Sequence, residues 1–283
     1  MDPFSSPPNT PMSVVIPDAP RKRHVGRLVA IAVVAVAAIA GVAFAVTRSD
    51  DKPTYSLKEA TDATVEVKSL TFTTTTKGFG SEVSADAESD VENGLVHVTM
   101  DLGTGIVGIG GEVEMILDTE NKVTYINTSF FESFGLPIAT EWLSMDEAWF
   151  QENGQNSVFN GADVANPIDA AVALEKAIKT EEIGFDDVNG LKVKHYRVTF
   201  RIEDVLVMNE QLVAQLDEMN GELPDEIVYD FYIDEQNQVR RVVYQIDVGS
   251  GEVTTDIVVK SINEPVNIQV PDEADVTDAR DFL

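Results

Sequence analysis

The hydrophobic pattern changes character twice along the chain. Residues 1–20 show no period at all, and Pro3, Pro7, Pro8, Pro11, Pro17 and Pro20 punctuate a Ser-, Asn- and Asp-containing stretch that reads as a disordered tail. Residues 28–46, LVAIAVVAVAAIAGVAFAV, then run for 19 positions without a charge. A helix of that length, at ~1.5 Å per residue, matches the ~30 Å of a bilayer core. From Tyr55 onward the apolar positions alternate or recur at helical spacing, as in a water-soluble domain.

In that third region, residues 56–67 predict a short helix with Ser56 as a possible cap. Period-2 alternation follows. Leu70 and Phe72 alternate with threonines, and Val83, Ala85 and Ala87 alternate with polar residues. Val96, Val98, Met100 and Leu102 stand opposite His97, Thr99 and Asp101; Val113, Met115 and Leu117 stand opposite Glu112 and Glu114. Val123 and Tyr125 continue the apolar row after a turn at residues 118–121. Such strands bury one face and wet the other. Asn166-Pro167 opens a second predicted helix, running to about Lys179 with Ile168, Ala171, Leu174 and Ile178 on one side. A hairpin turning at Val188-Asn189-Gly190 comes next, with Tyr196, Val198 and Phe200 in its second strand. A third helix starts near Asp204; its stripe is Val205, Met208, Leu212, Leu216 and Met219, and Gly221 and Pro224 stop it. Three strands close the pattern, with faces Ile227/Tyr229/Phe231/Ile233, Val242/Tyr244/Ile246/Val248 and Val253/Thr255/Ile257/Val259. The acidic tail after Pro271 is expected to fray.

The basic cluster Arg21, Lys22, Arg23 and Arg27 flanks the long apolar run on its N-terminal side. By the positive-inside rule the N-terminus is cytoplasmic and the rest extracytoplasmic. A cleaved signal peptide also fits, because Ala43-Phe44-Ala45 has the small-x-small form of a cleavage site. The long basic region and the full-length apolar run favour a retained anchor, and either reading exports the domain. The expected organisation is a cytoplasmic tail (1–27), a transmembrane anchor (28–46), a tether (47–54), an extracytoplasmic domain (55–275) and an acidic tail (276–283).

Charge narrows the partners. Residues 1–47 hold two of the 49 acids and four of the 20 bases, which leaves 47 acids against 16 bases and a net charge of −31. Such a surface repels nucleic acid and anionic headgroups. It suits calcium binding or simply a solvated exterior. The chain has no cysteine, so disulfides, thiolate metal sites and lipid attachment through a cysteine are excluded.

Candidate chemistry is sparse. Gly103-Thr104-Gly105-Ile106-Val107-Gly108 spells GxGxxG, but a dinucleotide site needs a helix next, and here a strand pattern from Glu112 follows. A glycine-rich bend is the better reading. His97 and His195 stand in separate strands, without HxxH or HExxH spacing, so neither a metal centre nor a catalytic pair is expected. Gly78-Phe79-Gly80-Ser81 lacks the last glycine of a nucleophile elbow, and no acidic turn has EF-hand spacing. The segments DTENKV (118–123) and DEQNQV (234–239) echo each other, as tight-turn chemistry alone can produce. No enzyme activity and no cofactor are expected.

The order of these elements, with G-x-x-x-V-N-G-x-K-x-x-x-Y (Gly184, Val188, Asn189, Gly190, Lys192, Tyr196) and Leu223-Pro224 followed by Ile233-Asp234, resembles the actinobacterial LppX/LprG-like lipoproteins, relatives of the LolA carriers. The resemblance covers about residues 55–275. It implies an α+β fold: a curved antiparallel half-barrel with helices over the concave face. It also implies an apolar cavity that takes acylated lipid or lipoglycan in cell-envelope lipid handling. Phe130, Phe131, Phe134 and Leu136 are candidates for its mouth, and Val205, Met208, Leu212, Leu216 and Met219 for its lid. Members carry a lipid-modified cysteine where this chain has an apolar helix. The alternative is a non-catalytic ectodomain with a filled core that serves protein–protein interaction with an envelope partner or envelope sensing.

Overall fold

The computed structural model describes residues 55–62, 67–78, 81–102, 111–132, 135, 138–153, 176–206, 224–247 and 251–282. Twelve strands form one sheet: β1 Ser69–Gly78, β2 Ser81–Asp90, β3 Leu95–Asp101, β4 Glu112–Asp118, β5 Val123–Asn127, β6 Trp142–Asp146, β7 Lys179–Val188, β8 Leu191–Arg201, β9 Glu226–Ile233, β10 Val239–Asp247, β11 Glu252–Ile262 and β12 Val276–Asp278. Their spatial order is β12-β6-β5-β4-β3-β2-β1-β11-β10-β9-β8-β7. Two antiparallel meanders, β1 to β6 and β7 to β11, are thus joined through the antiparallel pair β1/β11. The sheet is curved and does not close, so β7 is one edge and β12 the other.

Local sequence explains the hairpins. Asn189 and Gly190 have φ of 53° and 80°, the two left-handed positions of a two-residue hairpin turn. The β2–β3 and β4–β5 turns share a second device. Asp90 accepts from the amide (3.1 Å) and side-chain nitrogen (2.7 Å) of Asn93, and Asp118 accepts the same pair from Asn121 (2.8 and 2.7 Å). Each turn then leaves through a left-handed residue, Gly94 or Lys122. Asp234 behaves differently. It accepts from the amides of Gln236 and Gln238 and from Arg240 Nε. The echo between 118–123 and 234–239 is therefore ordinary turn chemistry, and residues 90–94 match 118–122 more closely.

Among the described residues, five short helices accompany the sheet: α1 Leu57–Asp62, α2 Ser129–Glu132, α3 Glu147–Glu152, α4 Ile202–Leu206 and α5 Ala279–Phe282. Ser56 Oγ accepts from the Glu59 amide, as expected of a cap, although α1 is shorter than the predicted 56–67 and Val67 is buried outside it. Asp146 caps α3 through the Trp149 amide at 2.7 Å.

Three expectations are corrected. In β5 the core positions are Thr124 and Ile126, and Val123 and Tyr125 lie on the other face. The reason is register: Leu117 pairs with Thr124 and Met115 with Ile126, and antiparallel partners share a face. The helix predicted to run to about Lys179 does not include its last expected residues: 176–178 are not helical, Lys179 opens β7 and Ile178 is exposed. The tail expected to fray instead forms β12, which pairs in parallel with β6, and α5, whose Ala279 is fully buried. Arg280 holds it there through Asp146, Asp278 and Glu152.

Residues 1–54, the body of the helix predicted from Asn166, and the helix predicted beyond Leu206 lie outside the described residues. So do the anchor and its flank Arg21, Lys22, Arg23 and Arg27, and the GxGxxG segment. Among the described residues no helix is long and apolar enough to cross a membrane.

Candidate functional site

Alternation along each strand and register between strands turn the apolar positions into continuous rows across one face. One row is Val259, Phe72, Ala87, Val98, Met115, Ile126 and Leu143, all buried. The next is Tyr196, Phe231, Val242, Ile257, Thr74, Ala85, Met100 and Val113, again all buried. Apart from Thr74, these side chains belong to one hydrophobic cluster with Ala60 of α1, Phe130 and Phe131 of α2, Trp149 and Phe150 of α3 and Ala279 of α5.

The third row differs. Val83, Thr76, Thr255, Tyr244, Tyr229 and Val198 are successive cross-strand neighbours. Thr255 and Val198 are buried, but Val83, Thr76, Tyr244 and Tyr229 keep part of their surface open. Tyr229 is the centre of an aromatic group. Its ring lies 4.9 Å from Tyr244, 5.5 Å edge-on from Phe200 and 6.0 Å from Phe231. Burial pushes the phenols of Tyr229 and Tyr244 up; the neighbouring Tyr244 adds to the first, and a hydrogen bond from Thr255 moderates the second. Beyond this row on the same face Phe200, Ile227 and Ile246 are buried again, whereas Val253, Gly78 and Ser81 at the ends of β11, β1 and β2 are half-exposed.

The outer face is ionic. Arg197 makes a two-pronged contact with Asp230 (2.8 and 3.1 Å), and His195 Nε2 meets the same carboxylate at 2.8 Å. Arg241 grips Asp256 (2.8 and 2.7 Å), and Lys260 and Thr73 meet on Asp86. Burial alone pushes the Asp230 carboxyl up, but Arg197 and His195 outweigh it and hold the group below its usual range. His97 Nε2 lies 3.0 Å from Glu114, whose other oxygen accepts from Asn127. Both histidines thus serve cross-strand pairs. Among the described residues no group of His, Asp or Glu is placed to hold a metal ion.

Of the residues proposed for the cavity, Phe130 and Phe131 are buried in the core cluster and stack edge-on at 5.4 Å. That is core packing, and it does not place them at an opening. Val205 falls in α4, but its side chain, like Phe134, Leu136, Met208, Leu212, Leu216 and Met219, lies outside the described residues. The residues that mark the open row are Tyr229, Tyr244, Thr76 and Val83. The alternation had put Tyr229 and Tyr244 on apolar faces, yet only cross-strand register shows them to be neighbours.

Known proteins supply a likeness of fold. LprF from Mycobacterium bovis superposes with a TM-score of 0.50 at 16% identity, over 78% of this chain and 99% of that one. The chain has the fold of LprF. The lipoprotein LppX from Mycobacterium tuberculosis gives a TM-score of 0.48 at 13% identity, over 78% of this chain and 100% of that one. No family model matches the sequence, and no curated protein does either. The likeness agrees with the expected half-barrel: a large, open, curved sheet with few short helices.

Proposed function

We propose that the chain is a membrane-anchored, extracytoplasmic lipid-binding protein, without catalytic activity, that handles acylated lipid or lipoglycan at the cell envelope. The observation that carries the reading is the third row, where Val83, Thr76, Tyr244 and Tyr229 keep part of their surface exposed within an apolar face that is otherwise largely buried. An alkyl chain laid along such a face is driven there by roughly 25 cal/mol per Å² of surface removed from water. The ionic outer face and the net charge of −31 on residues 48–283 keep the remainder of the domain off anionic headgroups. Residues 28–46 are the proposed anchor. The eight-residue tether reaches at most ~25–30 Å, which keeps the face near its own membrane. Met208, Leu212, Leu216 and Met219 are the proposed cover, and Met is an adaptable lining for chains of varied shape.

The test is uptake of an environment-sensitive alkylated naphthylamine by the detergent-solubilised full chain. A blue-shifted emission that a diacyl lipid displaces is expected. Absence of any shift removes the lipid reading.

A second reading, an ectodomain with a filled core that pairs with an envelope protein, has one observation in its favour. Ile183, Phe185 and Leu191 are exposed on the edge hairpin β7–β8, where an unpaired strand edge invites a partner.

A further inference from the structure

The β7–β8 hairpin carries exposed apolar side chains, and the chain itself enters the domain beside them. Ile183, Phe185 and Leu191 are 50%, 57% and 44% exposed. Tyr55 packs on Phe185, ring to ring edge-on at 5.2 Å, and its carbonyl accepts from the Tyr196 hydroxyl at 2.7 Å. Its φ of 51° is one that an aromatic residue keeps only where its surroundings fix it. Residues 47–54 alone separate Tyr55 from the apolar run 28–46, and eight residues span at most ~25–30 Å. The hairpin is therefore where the domain is tied to the proposed anchor.

Register and charge give the hairpin tip its character. Phe185 stands opposite Lys194 and Leu191 opposite Val188; Leu191 and Lys194 are three positions apart on β8, so Phe185 and Leu191 lie on opposite faces. A partner packed against one face of the sheet would cover one of them and leave the other wet. Entry of the tip into an apolar medium covers both. Residues 185–194 hold two acids, Asp186 and Asp187, and two bases, Lys192 and Lys194, so the tip is neutral within a region that carries −31. Asp187 stands opposite Lys192 and accepts from the Gly190 amide at 2.8 Å, and Lys192 Nζ lies 4.1 Å over the Phe185 ring. Lysine stems lying along apolar groups, with a tyrosine beside them, suit the level of lipid headgroups.

We infer that the tip of the β7–β8 hairpin is a membrane-contact site, which sets Phe185 and Leu191 into the headgroup boundary of a neutral bilayer and so fixes how the domain stands on its anchor. The inference rests on the reading of residues 28–46 as that anchor. A second copy of the chain is a poor occupant of the same edge. Antiparallel pairing of β7 with itself about Gly184 would set Glu181 against Asp187 and Glu182 against Asp186, and like charges directly opposite are destabilising. The shift of register between Glu182 and Gly184 also breaks the edge that an added strand would need. With the tip at the bilayer, the end of the sheet that carries Glu252, at the far end of β10 and β11 from the Ile233–Val239 turn, points away from it.

The test uses the absence of cysteine from the chain. Phe185→Cys, Leu191→Cys and Glu252→Cys are each made in the full chain, labelled with a nitrobenzoxadiazole and reconstituted into phosphatidylcholine vesicles whose acyl chains carry a doxyl quencher near the headgroup. The two tip positions are expected to emit to the blue of the Glu252 position and to lose most of their emission to the quencher, while the Glu252 position loses none. A label at Ile183→Cys should be quenched likewise, and that quenching should disappear when Phe185→Ser and Leu191→Ser are added; both sites are exposed, so the melting temperature should not move. Flotation of the vesicles separates the two readings. A chain that floats with the vesicles while its tip labels are quenched no more than the Glu252 label overturns the inference, leaves the anchor standing and gives the edge to a protein partner. Equal quenching at all three positions also overturns it, because the domain then has no fixed stance. A chain that does not float overturns the anchor and the inference together.

Discussion

The carbonyl of Gly94 accepts two hydrogen bonds from one residue, the amide and the hydroxyl of Thr119, each at 2.8 Å. The contact locks the tip of the β2–β3 hairpin onto the tip of the β4–β5 hairpin. It works because Gly94 has φ of 62° and no Cβ; a Cβ there would lie 2.8 Å from both Thr119 Oγ1 and Glu120 Cγ. The N-terminal meander is therefore fixed at its turns as well as along its strands.

Gly94→Ala should lower unfolding stability by about 2–4 kcal/mol, the sum of left-handed strain and overpacking. Gly190→Ala has a similar φ, 80°, but open space around it, so only the strain of about 1–2 kcal/mol applies. Denaturant titration of both variants checks the difference. Equal losses would mean that the contact at Gly94 contributes nothing.

Asp234 is 2% exposed and serves two amides and Arg240 Nε, the last at 2.6 Å. Asp234→Ala strands a guanidinium and two donors and should cost about 3–5 kcal/mol. Asp118 is 4% exposed but among the described residues its carboxylate meets only Asn121 and no cation. Asp118→Asn should therefore be much milder, about 1 kcal/mol. Thermal unfolding of the two variants side by side decides whether charge matters at one turn and only geometry at the other.

Among the described residues, two buried threonine hydroxyls, on Thr74 and Thr124, have no hydrogen-bond partner. Both residues sit in the sealed apolar rows or beside them. Thr124→Val removes the unpaired hydroxyl while keeping the β-branched shape, and should raise stability by about 1 kcal/mol. A loss of stability in calorimetry would show that the hydroxyl has a partner after all.

The pairing of β12 with β6 should depend on pH. A hydrogen bond from Arg280, at 2.5 Å, is the main cause that holds the Asp146 carboxyl below its usual range; burial opposes it, and the Trp149 amide helps. A carboxyl depressed in the folded state contributes stability that is present above its unfolded pKa of about 3.9 and is lost as pH falls through the folded value. The melting temperature of the unaltered chain should exceed that of Arg280→Gln from about pH 5 upward, and the gap should close in acid below about pH 4. A gap that persists in acid would assign the effect of Arg280 to packing.

Much of the sheet was legible because its strands bury one face, and period-2 alternation records that directly. Val98, Met100, Met115 and Ile257 needed nothing else. Val123 and Tyr125 misled because they are more apolar than Thr124, and only pairing with Leu117 reveals which of them faces the core. β12 was hidden because three residues of an acidic tail carry no periodicity; its place comes from partners far away in sequence, Trp142 to Ser144 and Asp146. The open row was half legible. Tyr229 and Tyr244 are recognisable as strand residues, but their adjacency across β9 and β10, and the hydroxyl chain through Thr255 to Thr76, arise from register alone. Phe130 and Phe131 are candidates for a cavity mouth by resemblance, but two adjacent aromatic residues are equally the mark of a core, and both are buried in it.

The central claim is that the apolar face holds acyl chains, and native mass spectrometry of the full chain released from its own membrane in detergent tests it most directly. The account predicts adducts of lipid mass that survive detergent removal and disappear on organic extraction. A bare polypeptide mass that stays bare when envelope lipids are offered would contradict it and turn attention to the exposed edge of β7.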